Sequence, residues 1–267
     1  MQTTYLMRRA SAAALRQLAA LCFFVLASGV VLAGCAAAPV APPSPAEQAR
    51  AELQLGTELE QRLESQLRIV RDPEITIYLR GVAEKLLKAR SSGDPAFGVL
   101  VIKQEQGPWR NLGIPGNRIY LSAGLLKTIE YENELAAALA MEIAHISRKH
   151  LMRRIQESMT SDVTLSTGLN NLDFFSPGGA FIFTEADHLG AIEDAFDILY
   201  RAGFDPRGLS SLISIYQKNS TRSPYESSTT EKLLAASRKV IARTAPLRNP
   251  ILRTPEFREF QKRMKRQ

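Results

Sequence analysis

The residues best placed to do chemistry are Glu142 and His145, in the run Met141-Glu142-Ile143-Ala144-His145. Residues four apart on a helix share a face. With histidine at 141 the run would read H-E-x-x-H. In that arrangement two imidazoles bind one zinc ion and the glutamate between them takes a proton from metal-bound water. Here the base and one ligand are present, and a thioether, Met141, stands at the other ligand position. Thioethers suit soft ions, so Met141 with His145 could begin a copper(I) site; packing is the commoner use of methionine on a buried helix face. A catalytic zinc needs about three protein ligands and an open position for water. The chain has only three histidines, His145, His150 and His188. His150 lies five residues beyond His145, about 140° round a continuous helix. That phase predicts that the two do not meet at one ion, and that His150 is a surface residue near the helix C-terminus.

The element that must present these groups is a helix over Tyr131–Leu151. Leu135, Leu139, Ile143 and Ile146 recur at helical spacing, and the run is rich in Ala, Leu and Glu with no Pro or Gly. Phe97–Lys103 and Arg118–Ser122 are short β-branched runs bounded by Gly and Pro, which predicts two strands of a small sheet. Trp109 lies in the loop between them and reads as a packing residue. Residues 47–70 are amphipathic, Arg71-Asp72-Pro73 breaks that helix, and Ile75–Arg90 restarts one. Further helices are predicted over Gly208–Lys218 and Thr230–Arg243. Asp162–Phe183, with Gly168, Pro177, Gly178 and Gly179, reads as a loop able to cover a cleft.

The N-terminus reads as an address. Arg8, Arg9 and Arg16 precede the apolar run Leu18–Leu32, and residues 1–34 contain no acid. Leu32-Ala33-Gly34-Cys35 then reads as a lipoprotein signal, cleaved before Cys35, whose thiol receives the lipid. The organisation expected is a signal peptide over 1–34, an Ala/Pro-rich tether over 35–50 and a domain over 51–267 with a basic helical tail. Cys22 falls within the signal, so the processed chain has no internal disulfide to form. Three of the seven net positive charges are the signal's arginines, which leaves a nucleic-acid partner little support. Residues 238–267 hold ten Lys/Arg against two Asp/Glu. Such a run is usually a solvated helix face, with attraction to lipid headgroups as the functional alternative.

Several ordered blocks carry a resemblance. Asn111-Leu112-Gly113-Ile114-Pro115-Gly116, Ile119-Tyr120-Leu121, Gly124-Leu125-Leu126 and Glu134-Leu135-Ala136-Ala137-Ala138-Leu139-Ala140 resemble conserved-order blocks of metallopeptidase family forty-eight, the CAAX prenyl endopeptidase type, in its periplasmic lipoprotein branch. Arg201-Ala202-Gly203-Phe204-Asp205-Pro206 resembles the family's Arg-Ala-Gly-Tyr-Asp-Pro block. The resemblance covers about residues 75–255. It implies an α+β, mainly helical, zincin-like domain whose small β-sheet lies over the active-site helix, with a sheet edge that can pair with an extended substrate.

The same resemblance implies Glu142 as general base and His145 as a zinc ligand, and marks Met141 as a degenerate ligand position. The family's third ligand is a glutamate in Glu-Ala-Asp. Glu185-Ala186-Asp187-His188 matches that motif, yet counting back from Arg201 puts the ligand at Gly190, five residues later. Five residues is roughly 7.5 Å along a helix and about 140° around it. In this register the ligand is lost; a displaced zinc site from His145, Glu185 or Asp187, and His188 is the alternative. A Ser/Thr-His-Pro motif common in these lipoproteins is absent near Pro224-Tyr225-Glu226. These departures predict a degenerate peptidase without zinc. It would be held by Cys35 to the outer membrane facing the periplasm, and would bind or assemble envelope proteins. The competing readings are a working zinc endopeptidase for misfolded envelope proteins, and a structural lipoprotein with no client.

Overall fold

The computed structural model describes residues 44–90, 97–104, 107–158 and 183–267. The signal, Cys35 and most of the tether lie outside them, as does the Asp162–Phe183 loop except for Phe183 itself. Helix α1 spans Pro45–Gln66, so residues 45–50, assigned above to the tether, are helical. Helix α2, Pro73–Lys88, begins where Asp72-Pro73 dictates. The Asp72 carboxylate accepts the N–H groups of Glu74 at 3.0 Å and Ile75 at 3.4 Å, and Pro73 fills the first turn. Such a cap contributes about 1 kcal/mol.

Three strands follow: β1 Gly98–Ile102, β2 Leu112–Ile114 and β3 Arg118–Ser122. They lie in the order β1-β3-β2, with β1 parallel and β2 antiparallel to β3. Sequence reading anticipated β1 and β3 and missed β2, because Leu-Gly-Ile is too short to display alternation. The β2–β3 turn places Gly116 at φ 80° and Asn117 at φ 63°, the left-handed region that these two residue types tolerate.

Helix α3, Ala123–Thr128, leads to α4, Glu132–Ser147. Every residue of α4 from Glu132 to His145 is buried. A helix apolar on most faces belongs in a core, and its alanines let neighbours approach closely. The sheet contacts it through β2 and β3, and α6, Glu185–Arg201, and α7, Arg207–Lys218, pack against it. Helix α8, Ser227–Ala242, packs on α6 and α7. The basic tail forms α9, Pro255–Arg266, which docks on α2 and α3 through buried Phe257, Phe260 and Met264 and turns its charges outward.

The predicted helix over Tyr131–Leu151 requires one correction. It ends at Ser147, and a separate helix α5 begins at His150 and runs to Ser158. Lys149 turns the chain between them with φ 53°. Apolar residues form two clusters: the main core around α4, and a smaller one in which Leu55, Leu59 and Leu63 of α1 meet β2, β3, α5 and Phe183. Trp109 belongs to the main core, as a packing residue should. No described helix is long and apolar enough to cross a membrane.

Candidate functional site

The site is built where α4, α5 and α6 meet beneath β2. Glu142 is buried, and its carboxylate accepts the N–H of Gly113 at 2.7 Å. That bond shows that the Gly113 N–H points away from β3, toward the outer edge of the sheet. Burial pushes the Glu142 carboxyl up to about 7, with the Gly113 bond opposing the rise. Tyr216 and Tyr225 stand nearby with ring centroids 5.4 Å apart, and burial pushes both hydroxyls up. Asn111 joins them to the sheet: its amide donates to the Tyr216 hydroxyl at 3.2 Å, and its carbonyl accepts the Ser122 N–H at 3.1 Å.

His145 lies at the junction of three helices. Its Nδ1 is 2.8 Å from His150 Nδ1, and its Nε2 is 3.1 Å from His188 Nδ1. All three imidazoles are buried, and Phe183 stacks on the His145 ring at 4.2 Å and 10°. His150 is therefore no surface residue. On one continuous helix the two rings would stay apart, but the turn at Lys149 folds His150 back onto His145.

Asp187 fixes the proton arrangement. Thr184 and Asp187 cap α6 reciprocally: the Asp187 carboxylate accepts the Thr184 N–H at 2.9 Å, and the Thr184 hydroxyl accepts the Asp187 N–H at 3.2 Å. The Asp187 carboxylate also pairs with Arg153 and faces His150 Nε2 at 3.7 Å. Burial would raise this carboxyl, but the bonds from Thr184 and Arg153 hold it below its ordinary value. Facing an ionised carboxylate, neutral His150 carries its proton on Nε2. Its Nδ1 then accepts from His145 Nδ1–H, and His145 Nε2 accepts from His188 Nδ1–H. Burial keeps the set neutral, lowering His188 to about 3 and holding His145 and His150 below the ordinary histidine range.

The other candidate residues lie elsewhere. Glu185 is half-buried and accepts from Lys232 at 3.0 Å, away from the histidines. A Cβ on Gly190 would lie 2.8 Å from an Arg148 guanidinium nitrogen, and that guanidinium is paired to Asp194 at 2.7 and 2.8 Å. Neither register of the Glu-Ala-Asp motif thus brings an acid to His145. Met141 is buried in the main core. Near the segment lacking Ser/Thr-His-Pro, Tyr225 packs on His188 with centroids 4.9 Å apart. Sequence reasoning missed Tyr216, Tyr225 and the inward turn of His150; only the Pro224-Tyr225 block had drawn notice.

A zinc ion does not fit these residues as arranged. His150 and His188 sit on different edges of the His145 ring, so no single point lies within about 2.1 Å of a nitrogen from each. Among the described residues no group of three His, Cys, Asp or Glu side chains converges to hold an ion.

Residues 76–182 match the profile of Peptidase family M48. The chain is 24% identical to the Beta-barrel assembly-enhancing protease of Yersinia pestis over 201 residues, covering 68% of this chain and 40% of that protein. It is 23% identical to the protein of the same name from Escherichia coli (strain K12) over 180 residues, covering 61% and 37%. It is 26% identical to the Mitochondrial metalloendopeptidase OMA1 of Schizosaccharomyces pombe over 151 residues, covering 51% and 42%. The chain thus spans about two fifths of the length of the curated relatives it matches. The matched stretch takes in both the sheet and the helix bearing Glu142 and His145, so it is over these elements that the chain is similar to peptidase family M48.

Proposed function

We propose that this protein is a degenerate peptidase of the cell envelope, anchored through lipid on Cys35 to the outer membrane and facing the periplasm, which binds and helps assemble envelope proteins without hydrolysing them. The observation that carries this reading is the state of His145. Both its ring nitrogens are engaged by other histidines, and position 141 offers a thioether. The names of the relatives, which couple a protease to β-barrel assembly, support outer-membrane proteins as the client class. The second reading, a working zinc endopeptidase, draws on Glu142, whose buried carboxyl is raised to about 7, in the range of a general base.

One experiment separates the two. The purified protein is analysed for zinc, then incubated with an unfolded β-barrel outer-membrane protein. The expected result is below about one tenth of an equivalent of zinc, suppressed aggregation of the client, and no fragments with or without added zinc. Fragments that disappear in Glu142→Gln would establish the endopeptidase instead. Lipid labelling that survives Cys35→Ser would refute the anchor.

A further inference from the structure

β2 is an edge strand by pairing but not by exposure. Leu112 and Ile114 are 2% and 0% exposed, and the outward N–H of Gly113 is taken by Glu142. The opposite edge is covered too: Val70 N–H donates to Val101 at 2.8 Å and Lys103 N–H to Arg68 at 2.7 Å. What covers β2 is α1. Leu55, Leu59 and Leu63, four residues apart, lie on the side chains of Leu112, Ile114 and Tyr120 in a cluster separate from the main core. Gly56 lets the helix sit down, since a Cβ there would fall 2.1 Å from the Pro115 carbonyl oxygen. Two ion pairs hold α1 in place, Glu60 to Arg118 at 2.7 Å and Glu52 to Lys149. Beside the Glu52–Lys149 pair is a small cavity of about 70 Å³, lined by Gly113, Pro115, Asn117, His145, Ile146 and Leu151. It runs from the free side of β2 to the histidine junction.

We propose that α1 is a cover over β2 and this cavity, latched by Glu52–Lys149, and that lifting it admits an extended apolar peptide whose carbonyl oxygen replaces the Glu142 carboxylate on the Gly113 N–H. The pivot is at Leu67, because residues 68–70 remain paired to β1. The exchange at Gly113 is chemically even, one oxygen acceptor for another. Leu112 and Ile114 on either side of it, which Leu55 and Leu59 now cover, are apolar, and the latch is a surface ion pair, of a kind readily opened and weakened by salt. The occupant rests on the client-binding reading above; the cover does not.

The test uses the full chain in detergent and follows hydrogen exchange in β2. Glu52→Lys and Lys149→Glu should each speed exchange of the 112–114 amides by about fivefold, while the double exchange of charges returns it to within about twofold of the parent. Unchanged β2 exchange in the single variants, or fast exchange persisting in the double, would overturn the latch. Gly56→Ala, which forces a methyl against Pro115 without altering charge, should speed β2 exchange and leave α2 and α9 protected. Exchange rising equally in α2 and α9 would mean general loosening and overturn the cover. A fluorescein-labelled decapeptide alternating valine with threonine then tests the occupant. It should bind both single variants at least about fivefold tighter than the parent. Equal binding to all forms would overturn the latch. Binding to none, with the exchange pattern as expected, would keep the cover and overturn the client-binding reading.

Discussion

The carboxylate of Glu142 and the main-chain N–H of Gly113 meet at 2.7 Å, so the acid of the Met141–His145 run is bonded directly to the edge strand of the sheet. The folded protein holds this carboxyl at about 7 against an ordinary 4.5. The native state therefore binds the proton more tightly than the unfolded chain. The associated stability is fully present below about pH 4.5 and is lost as pH rises through 7, an effect on the order of 3 kcal/mol. Glu142→Gln keeps an acceptor for Gly113 and removes the titration. Measured by urea unfolding, the variant should gain about 1–3 kcal/mol on the parent between pH 5 and pH 8. A constant gap would show that Glu142 titrates in the ordinary carboxylate range.

The histidine junction has the opposite sign. His188 is held at about 3, and His145 and His150 below the ordinary value, so the fold favours their neutral forms. Their contribution is present above pH 6.5 and is lost as pH falls toward the folded values. His145→Ala leaves two buried imidazoles without their shared partner and should cost about 2–4 kcal/mol at pH 7.5. The variant should also lose less further stability than the parent between pH 7 and pH 4 in thermal unfolding. Parallel pH curves for the two proteins would contradict the neutral-cluster assignment.

Met141→His restores a pair of histidines beside Glu142, but neither acid position on α6 can complete the set. A carboxylate at Gly190 would meet the Arg148 guanidinium and pair with it, and Glu185 is held by Lys232. Met141→His alone and with Gly190→Glu should both stay below about one tenth of an equivalent of zinc after dialysis. A full equivalent in Met141→His, abolished by adding Glu185→Ala, would mean that α6 shifts register to bind metal.

Two glycines in helices should respond in opposite directions. Gly81 in α2 has nothing within 4 Å of an added Cβ, so Gly81→Ala should stabilise the protein by roughly 0.5–1 kcal/mol. At Gly208 the added Cβ would lie 2.2 Å from the Asn133 carbonyl oxygen. Gly208→Ala must push α7 away from α4 and should cost about 1–3 kcal/mol. Denaturant midpoints of the two variants check both signs, and a neutral Gly208→Ala would refute the close approach.

The long helices and two of the strands were legible because their signals are local. Leu135, Leu139 and Ile143 mark α4 by spacing alone, and Asp72-Pro73 announces the start of α2. The end of α4 was not legible, since no glycine or proline interrupts Ser147-Arg148-Lys149-His150. The break accompanies tertiary bonds: Arg148 to Asp194, Lys149 to Glu52 and His150 to His145. The partners of Arg148 and Lys149 are 46 and 97 residues away, so no window on the chain reveals them. For the same reason Glu142 and His145 could be named from their motif, whereas Tyr216 and Tyr225 could not. They reach the site only because α7 and the segment before α8 return across α4.

The docking of α9 on α2 carries a consequence for how the chain is made. Tyr78 of α2 stacks on Phe260 of α9 at 4.8 Å, and Phe257 and Met264 complete the same buried face. During synthesis α2 emerges long before the residues that cover it. Its apolar side therefore stays open to solvent or to chaperones until α9 has emerged, and the main core can close only after that.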